Sequence, residues 1–439
     1  MATKGANLER ILFIVHDLHQ EDNHFPVGIG YLAAVAAKDA EVQVCNADVF
    51  HLSNERVQKV ILDWKPTTIG LGFLAARFKE TVIPLCDAIN EVKGDADLIL
   101  GGHGASSGDS YIKQITDCDE IVVGEGEKFF GLDTDDIDEL PFPAWHLFPI
   151  DKYATSLKLP GWEKGDRTLG IATSRGCVGK CNFCYRMTEG LRLRSMDSVM
   201  DEMLHLYQEY GINYFFMQDE LFVSSRKRML EFHDGLKNYG LLGKIKFACD
   251  SRVNIVNEEL LECLKDSGCQ YLDYGFESMD DNVLKIMKKG ATAKENYNAA
   301  KLTQDAGIPF NINILWGNIG DTPETLEKNV EFIKEFNTHK NIRTIRPPTP
   351  YPGSELYDIA IQKGLLTGPD DFFKKFTNSD RMTVNFTEMR DEAVYCYLHS
   401  TNHDLISDYY KYKTTELSNG FHDLYFNNKT DFRGARHYV

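Results

Sequence analysis

The chain has 439 residues, 43% hydrophobic and 26% charged, enough to bury more than one core, so two or three domains are expected. Its 66 acidic and 48 basic residues leave a net charge of −18, which disfavours nucleic acid and anionic lipid as partners. Gly28 to Ala37, the longest weakly charged apolar stretch near the start, is about half of the roughly 20 residues a membrane helix needs, and Ile11 to Val15 is too short for a signal-peptide core, so a cytoplasmic protein without a membrane span is expected.

Taken in chain order, short apolar strands come first: Ile11 to Val15, Val42 to Cys45, Thr68 to Phe73, Leu98 to Leu100 and Glu120 to Val123. Helical stretches separate them, a pattern that predicts a parallel sheet covered on both faces. The expected result over residues 1–130 is an α/β, flavodoxin-like (Rossmann-type) doubly wound domain with its ligand at the carboxyl ends of the strands. Those ends carry Asp17 to Asp22, Gly72, Gly101, Gly102, Gly124, Glu125 and Gly126, where glycine marks a tight turn or close approach of another group. Acidic and proline-containing residues without periodicity make 131–165 a linker, whose run from Asp133 to Glu139 reads as solvated surface.

A second alternating array spans 166–349, with strands at Thr168 to Thr173, Tyr214 to Met217, Lys246 to Cys249, Tyr271 to Tyr274, Phe310 to Leu315 and Arg343 to Ile345. Its helices carry their own stops: Ser195 as a cap with Gly211 past the end, Thr292 with Glu295 at capping-box spacing, and Thr322 before Pro323. Six units where a closed barrel has eight predict an open, partial (β/α)6 barrel with its chemistry at the carboxyl ends of the strands. Residues 350–439, rich in aromatics and charge, are expected to form a mostly helical cover over that barrel.

Of the ten cysteines, three fall within eight residues directly after the first strand of the second array, in Ser174-Arg-Gly-Cys177-Val-Gly-Lys-Cys181-Asn-Phe-Cys184. That is metal-site usage, and the glycines at 176 and 179 permit one tight loop to aim three thiolates at one centre. The competing reading is a zinc knuckle or incidental thiols. Structural zinc wants four closed ligands, and the nearest histidine, His205, falls inside a predicted helix. Three thiolates on a four-iron cluster leave one iron open to a small molecule. Cys249 and Cys269 read as buried thiols.

The segment resembles the signature of the radical S-adenosylmethionine (SAM) superfamily, Cys-x3-Cys-x-aromatic-Cys, with Phe183 in the aromatic place. The resemblance implies a [4Fe-4S] cluster on Cys177, Cys181 and Cys184, with SAM chelating the open iron and cleaved by an electron from the cluster. It further implies SAM contacts from Phe183, from Asp219 and Glu220 after the second strand, from Arg252 after the third and from Glu277 after the fourth. Acceptors suit the ammonium and ribose hydroxyls of SAM, and a guanidinium suits its carboxylate. Trp316 and the proline-rich run from Arg346 to Gly353 end the last two strands and read mainly as strand stops.

A doubly wound domain ahead of such a barrel resembles the cobalamin (B12)-binding domain-containing radical SAM enzymes. The likeness covers about residues 8 to 365 and includes Phe25-Pro-Val-Gly-Ile-Gly-Tyr-Leu-Ala-Ala34, Gly124-Glu-Gly-Glu127 and Leu140-Pro-Phe-Pro-Ala-Trp145. It implies that Gly72, Gly101, Gly102, Gly124 and Glu125 line the corrin. Asp17-Leu-His19-Gln-Glu-Asp22 stands where cobalamin domains carry Asp-x-His-x-x-Gly, so His19 is a candidate lower cobalt ligand despite the aspartate in the glycine place. The implied activity is methylation of an unactivated carbon of a small molecule or peptide, with methylcobalamin as donor and a flavodoxin or ferredoxin supplying electrons. The alternatives are cyclisation or ring contraction on the same domains, or a non-catalytic corrinoid or iron-sulfur carrier or redox sensor. Methylthiolation of transfer RNA needs a basic module, which the charge disfavours. No segment reads as a substrate motif.

Overall fold

A computed structural model describes residues 9–19, 23–105 and 109–427 of the chain. The first sheet consists of β1 (Arg10–Val15), β2 (Glu41–Asn46), β3 (Thr68–Gly72), β4 (Asp97–Gly101) and β5 (Glu120–Ile121). Its order is β2-β1-β3-β4-β5 with every pairing parallel, the flavodoxin-like order expected. Strands buried on both faces read as continuous apolar runs, and β1 shows why. Ile11, Phe13 and Val15 join one core with Val27 and Tyr31 of the helix Val27–Ala36. Leu12 and Ile14 join the opposite core with Val57, Ile61 and Leu85 of the helices Asn54–Trp64 and Ile83–Asn90.

The second sheet takes β6 (Thr168–Ile171), β9 (Tyr214–Met217), β10 (Lys246–Ser251), β11 (Cys269–Glu277) and β12 (Asn313–Ile314) in the order β12-β11-β10-β9-β6, again parallel. The strand expected at Arg343 to Ile345 shrinks to one bridge between Leu315 and Arg346. Pro347, Pro348 and Pro350 follow at once, and a residue without an N–H cannot extend a ladder. The predicted caps are present: Ser195 accepts from Ser198, Thr292 and Glu295 form a capping box, and Thr322 caps the helix opened by Pro323.

An antiparallel hairpin breaks the alternation, with β7 (Ser174–Cys177) paired to β8 (Gly190–Leu193). Gly176 sits at φ 83°, and a Cβ there would overlap the carbonyl oxygen of Gly190, so only glycine closes this ladder.

Residues 131–165 pack against both domains. Trp145, Phe148 and Tyr153 are buried around Phe25, with Trp145 4.5 Å from it between ring centroids. The acidic run is exposed, and Asp138 accepts from the Ser195 N–H at 2.9 Å. The carboxyl-terminal region departs from the expected cover of the barrel. Leu356, Phe372, Phe373, Phe376 and Phe386 complete the core of the first sheet, Phe373 lying 4.6 Å from Phe78, whereas Val394, Leu398 and Leu405 of the helix Asp391–Phe426 cover the barrel. No helix among the described residues is long and apolar enough to cross a membrane.

Tyr153 donates to Asp48 at 2.8 Å, tying this connecting segment to the end of β2. Burial raises the Asp48 carboxyl to about 6 from 3.8, against the opposing effect of Tyr153. A carboxyl raised in the folded state destabilises that state once ionised, fully above about pH 6 and not at all below about pH 4. Asp48→Asn keeps an acceptor for Tyr153. Urea unfolding should therefore find the variant more stable by roughly 2–3 kcal/mol at pH 7.5, an advantage that fades as the pH falls through 6 to 4.

Candidate active site

The carboxyl ends of the two sheets face each other across a cavity of about 370 Å³, within the range of small-molecule sites. From the first domain it is lined by Gly72, Gly101, Gly102, Gly124 and Glu125, together with Gly28 and Tyr31 of the first helix. Ser174, Arg175 and Gly176 of the hairpin, with Gln218 and Glu220 after β9, form the facing wall. Nothing stands within 4 Å of where a Cβ would project from Gly28, Gly72 or Gly124. These glycines leave a floor free of side chains, open to a flat macrocycle.

His19 does not join that floor. Its side chain is 72% exposed, and its Nδ1 lies 3.2 Å from Asp17, whose same oxygen takes His51 at 3.0 Å. Asp22 lies outside the described residues.

Cys177 ends β7, and the chain returns at Gly190 after passing Cys181 and Cys184. Gly179 donates its N–H to the Cys177 sulfur at 3.3 Å. The loop is pinned from both sides: Asn182 donates its N–H to the Met287 carbonyl at 3.0 Å, and its own carbonyl accepts from Leu356 at 2.7 Å. A hydrogen bond from Cys184 brings the Cys181 thiol down to about 6, with Lys289 and Arg252 assisting and burial opposing, while Cys184, as donor, is pushed up. No three His, Cys, Asp or Glu side chains among the described residues converge on a single ion. Thiols spread around one loop, an N–H aimed at sulfur and two nearby cations are chemically suited to an anionic iron-sulfur cluster.

The other predicted side chains divide. Arg252 donates to the Lys289 carbonyl at 2.7 Å, and a Cβ on Gly179 would stand 2.5 Å from its Nη1, so the guanidinium lies against the cysteine loop. Glu277 is buried at φ 64° with its carboxylate 2.9 Å from Lys289 Nζ. A non-glycine residue in the left-handed region stores strain of the kind found at functional sites. Burial works against the Lys289 charge, but Glu277 and the cysteines outweigh it and hold its pKa above the ordinary value. Lys289 belongs to no sequence motif.

Asp219 bonds to the chain itself. It is buried beneath the β6–β7 turn, accepting from the N–H groups of Thr173 at 2.6 Å and Ser174 at 3.1 Å and from the Thr173 hydroxyl, which leaves its carboxylate committed to the turn. Glu220 lines the cavity, its pKa raised by burial against the pull of Arg186. Phe183 packs its ring against the core shared by the first sheet and the segment 356–386. His103, after β4, meets Tyr185 at 4.4 Å between centroids, so the loop after Cys184 also touches the first domain.

Residues 171–333 match the model of the radical SAM superfamily. This chain carries a radical SAM domain. Over 393 residues the chain is 27% identical to a protein of Pyrococcus horikoshii named as an uncharacterized methyltransferase, covering 81% of this chain and 82% of that protein. Among solved structures, the cobalamin-dependent SAM radical enzyme OxsB with aqua-cobalamin bound superposes with a TM-score of 0.62 at 19% identity over 87% of this chain. The chain spans only 58% of OxsB. The radical SAM methyltransferase TsrM of Kitasatospora setae, solved with cobalamin and a [4Fe-4S] cluster, gives 0.63 at 18% identity, covering 83% of this chain and 76% of TsrM. A doubly wound domain in front of a radical SAM domain is thus the fold of the cobalamin-dependent radical SAM enzymes.

Asp219→Ala strands the Thr173 and Ser174 donors in the interior, at a cost of about 1–3 kcal/mol for each. Thermal unfolding should show a clear drop in midpoint for Asp219→Ala and little change for Glu220→Ala, which opens only onto the cavity.

Proposed function

We propose that this chain is a cobalamin-dependent radical SAM methyltransferase acting on an unactivated carbon of a small molecule or peptide. One observation carries the reading: the glycine floor of a flavodoxin-like sheet and the hairpin that bears the three cysteines, through Ser174, Arg175, Gly176, Met187 and Thr188, line the same cavity. The Pyrococcus protein and TsrM are both named as methyltransferases, which supports a methyl transfer. When bound, the cluster supplies the electron that cleaves SAM, and the corrin carries the methyl group.

The protein's own work is placement and exclusion of water. Cys177, Cys181 and Cys184 hold the cluster. Lys289 and Arg252 offset its negative charge, and Glu277, held by Lys289, suits the ammonium of SAM. Asp219 fixes the turn that launches the hairpin. Gly28, Gly72 and Gly124 accept the corrin face, while Gln218 and Glu220 put polar atoms on the wall opposite. We assign residues up to about 130 to the corrin domain and about 166–349 to the barrel. A flavodoxin- or ferredoxin-type protein is the electron donor.

Gly72→Leu separates the two cofactors. After anaerobic reconstitution the variant should bind hydroxocobalamin at least about tenfold more weakly than the parent by optical titration, yet still release 5′-deoxyadenosine from SAM under reductant. Wild-type protein that binds no corrin, or cleaves no SAM, contradicts the reading. Product mass distinguishes the outcomes, since methylation adds one methylene unit and cyclisation or ring contraction does not.

A further inference from the structure

Arg175 stands two residues before Cys177, and Arg192 is its cross-strand partner on β8. Two guanidiniums directly opposite each other on one ladder repel. The first domain supplies the compensating charge. Oε1 of Glu125 accepts from Arg175 at 3.0 Å and also from Arg192, and Glu127 accepts from the second fork nitrogen of Arg175 at 2.6 Å. Arg175 further lies 5.2 Å from the Tyr31 ring centroid, on the helix that forms another wall of the cavity. Exposure of these side chains is 20% for Arg175, 19% for Arg192, 11% for Glu125 and 7% for Glu127, low enough that loss of one partner leaves a poorly solvated charge.

We infer that Glu125, Glu127, Arg175 and Arg192 form a positioning clamp that sets the cysteine-bearing hairpin against the corrin floor. The clamp joins the loop after β5 to the strand ending in Cys177, so the separation of cluster and corrin is fixed by ion pairs between the domains rather than by either domain alone. Its functional meaning rests on the proposed cobalamin-dependent activity. It also gives Glu125 a different task from ligand contact, because its carboxylate is engaged by two arginines. Arginine is required at 175 because one planar fork reaches two carboxylates, which a lysine ammonium does not reproduce.

Hydrogen exchange on the full chain tests the clamp without any cofactor. In Glu125→Gln, amides of 174–193 should exchange at least about tenfold faster than in the parent although the substitution lies in the other domain, while β9 to β11 keep their protection. Arg175→Lys should fall between the parent and Arg175→Gln. In reconstituted protein, Glu125→Gln and Arg175→Gln should weaken hydroxocobalamin binding about tenfold and alter the electron paramagnetic spectrum of the reduced cluster with SAM. Unchanged hairpin exchange in Glu125→Gln and Arg175→Gln overturns the clamp, as does acceleration spread evenly over both domains. If wild-type protein binds no hydroxocobalamin, the corrin reading falls, while hairpin exchange still decides the clamp.

Discussion

A short antiparallel ladder between Ser174–Cys177 and Gly190–Leu193 holds the middle of this molecule. It is the point at which the barrel leaves its parallel pattern, and its sequence has little reason to form a ladder alone. Its strands read Ser-Arg-Gly-Cys and Gly-Leu-Arg-Leu, with glycine in each, and the one apolar face, Leu191 with Leu193, is not buried. What stabilises it lies outside: Asp219 beneath its first turn, the Glu125 and Glu127 carboxylates beside it, and Leu356 and Met287 pinning the loop it carries. The cysteine loop is therefore a junction, braced by the first domain, the barrel and the carboxyl-terminal segment together.

Charge distribution follows from the same junction. A chain with a net charge of −18 nevertheless gathers Arg175 and Arg192 on the cysteine-bearing hairpin and Arg252 and Lys289 beside its loop. Each is tied to a carboxylate or carbonyl of the protein, so each cation is held in place before any ligand arrives. Preorganised charge of this kind costs no reorganisation when an anionic group binds. One apolar core runs from Phe13 through Phe25 and Trp145 to Leu169, so beside the cavity the two domains also share packed side chains.

Much of this was legible in the sequence, for identifiable reasons. Strands buried on both faces announce themselves as apolar runs, so ten of the strands and the doubly wound order could be anticipated from Ile11 to Val15 and its successors. Glycines at strand ends pointed to the cavity floor, and cysteine spacing to the loop. The hairpin was not legible, because its strands are short, carry a glycine each, and are joined by the long cysteine loop rather than a turn of standard length. Lys289 was hidden because a lysine after a helix carries no pattern until Glu277 is folded against it. Asp219 is ambiguous for the opposite reason: a carboxylate at a strand end suits a ligand and a backbone turn equally, and its bonds to Thr173 and Ser174 exist only in the folded chain. Phe372 and Phe373 read as cover for the barrel, since sequence order does not reveal which of two cores still lacks a layer.

The central claim is that one cavity serves both the cluster and the corrin. Paramagnetic interaction between them tests it most directly. Protein reconstituted with cobalamin, reduced so that cluster and cobalt both carry unpaired spin, should show a cobalt signal broadened and relaxed faster by the neighbouring cluster, and Cys177→Ala/Cys181→Ala/Cys184→Ala protein should show the cobalt signal sharp. Identical cobalt spectra and relaxation in the two proteins, with both cofactors present in the parent, would place the groups far apart and contradict the account.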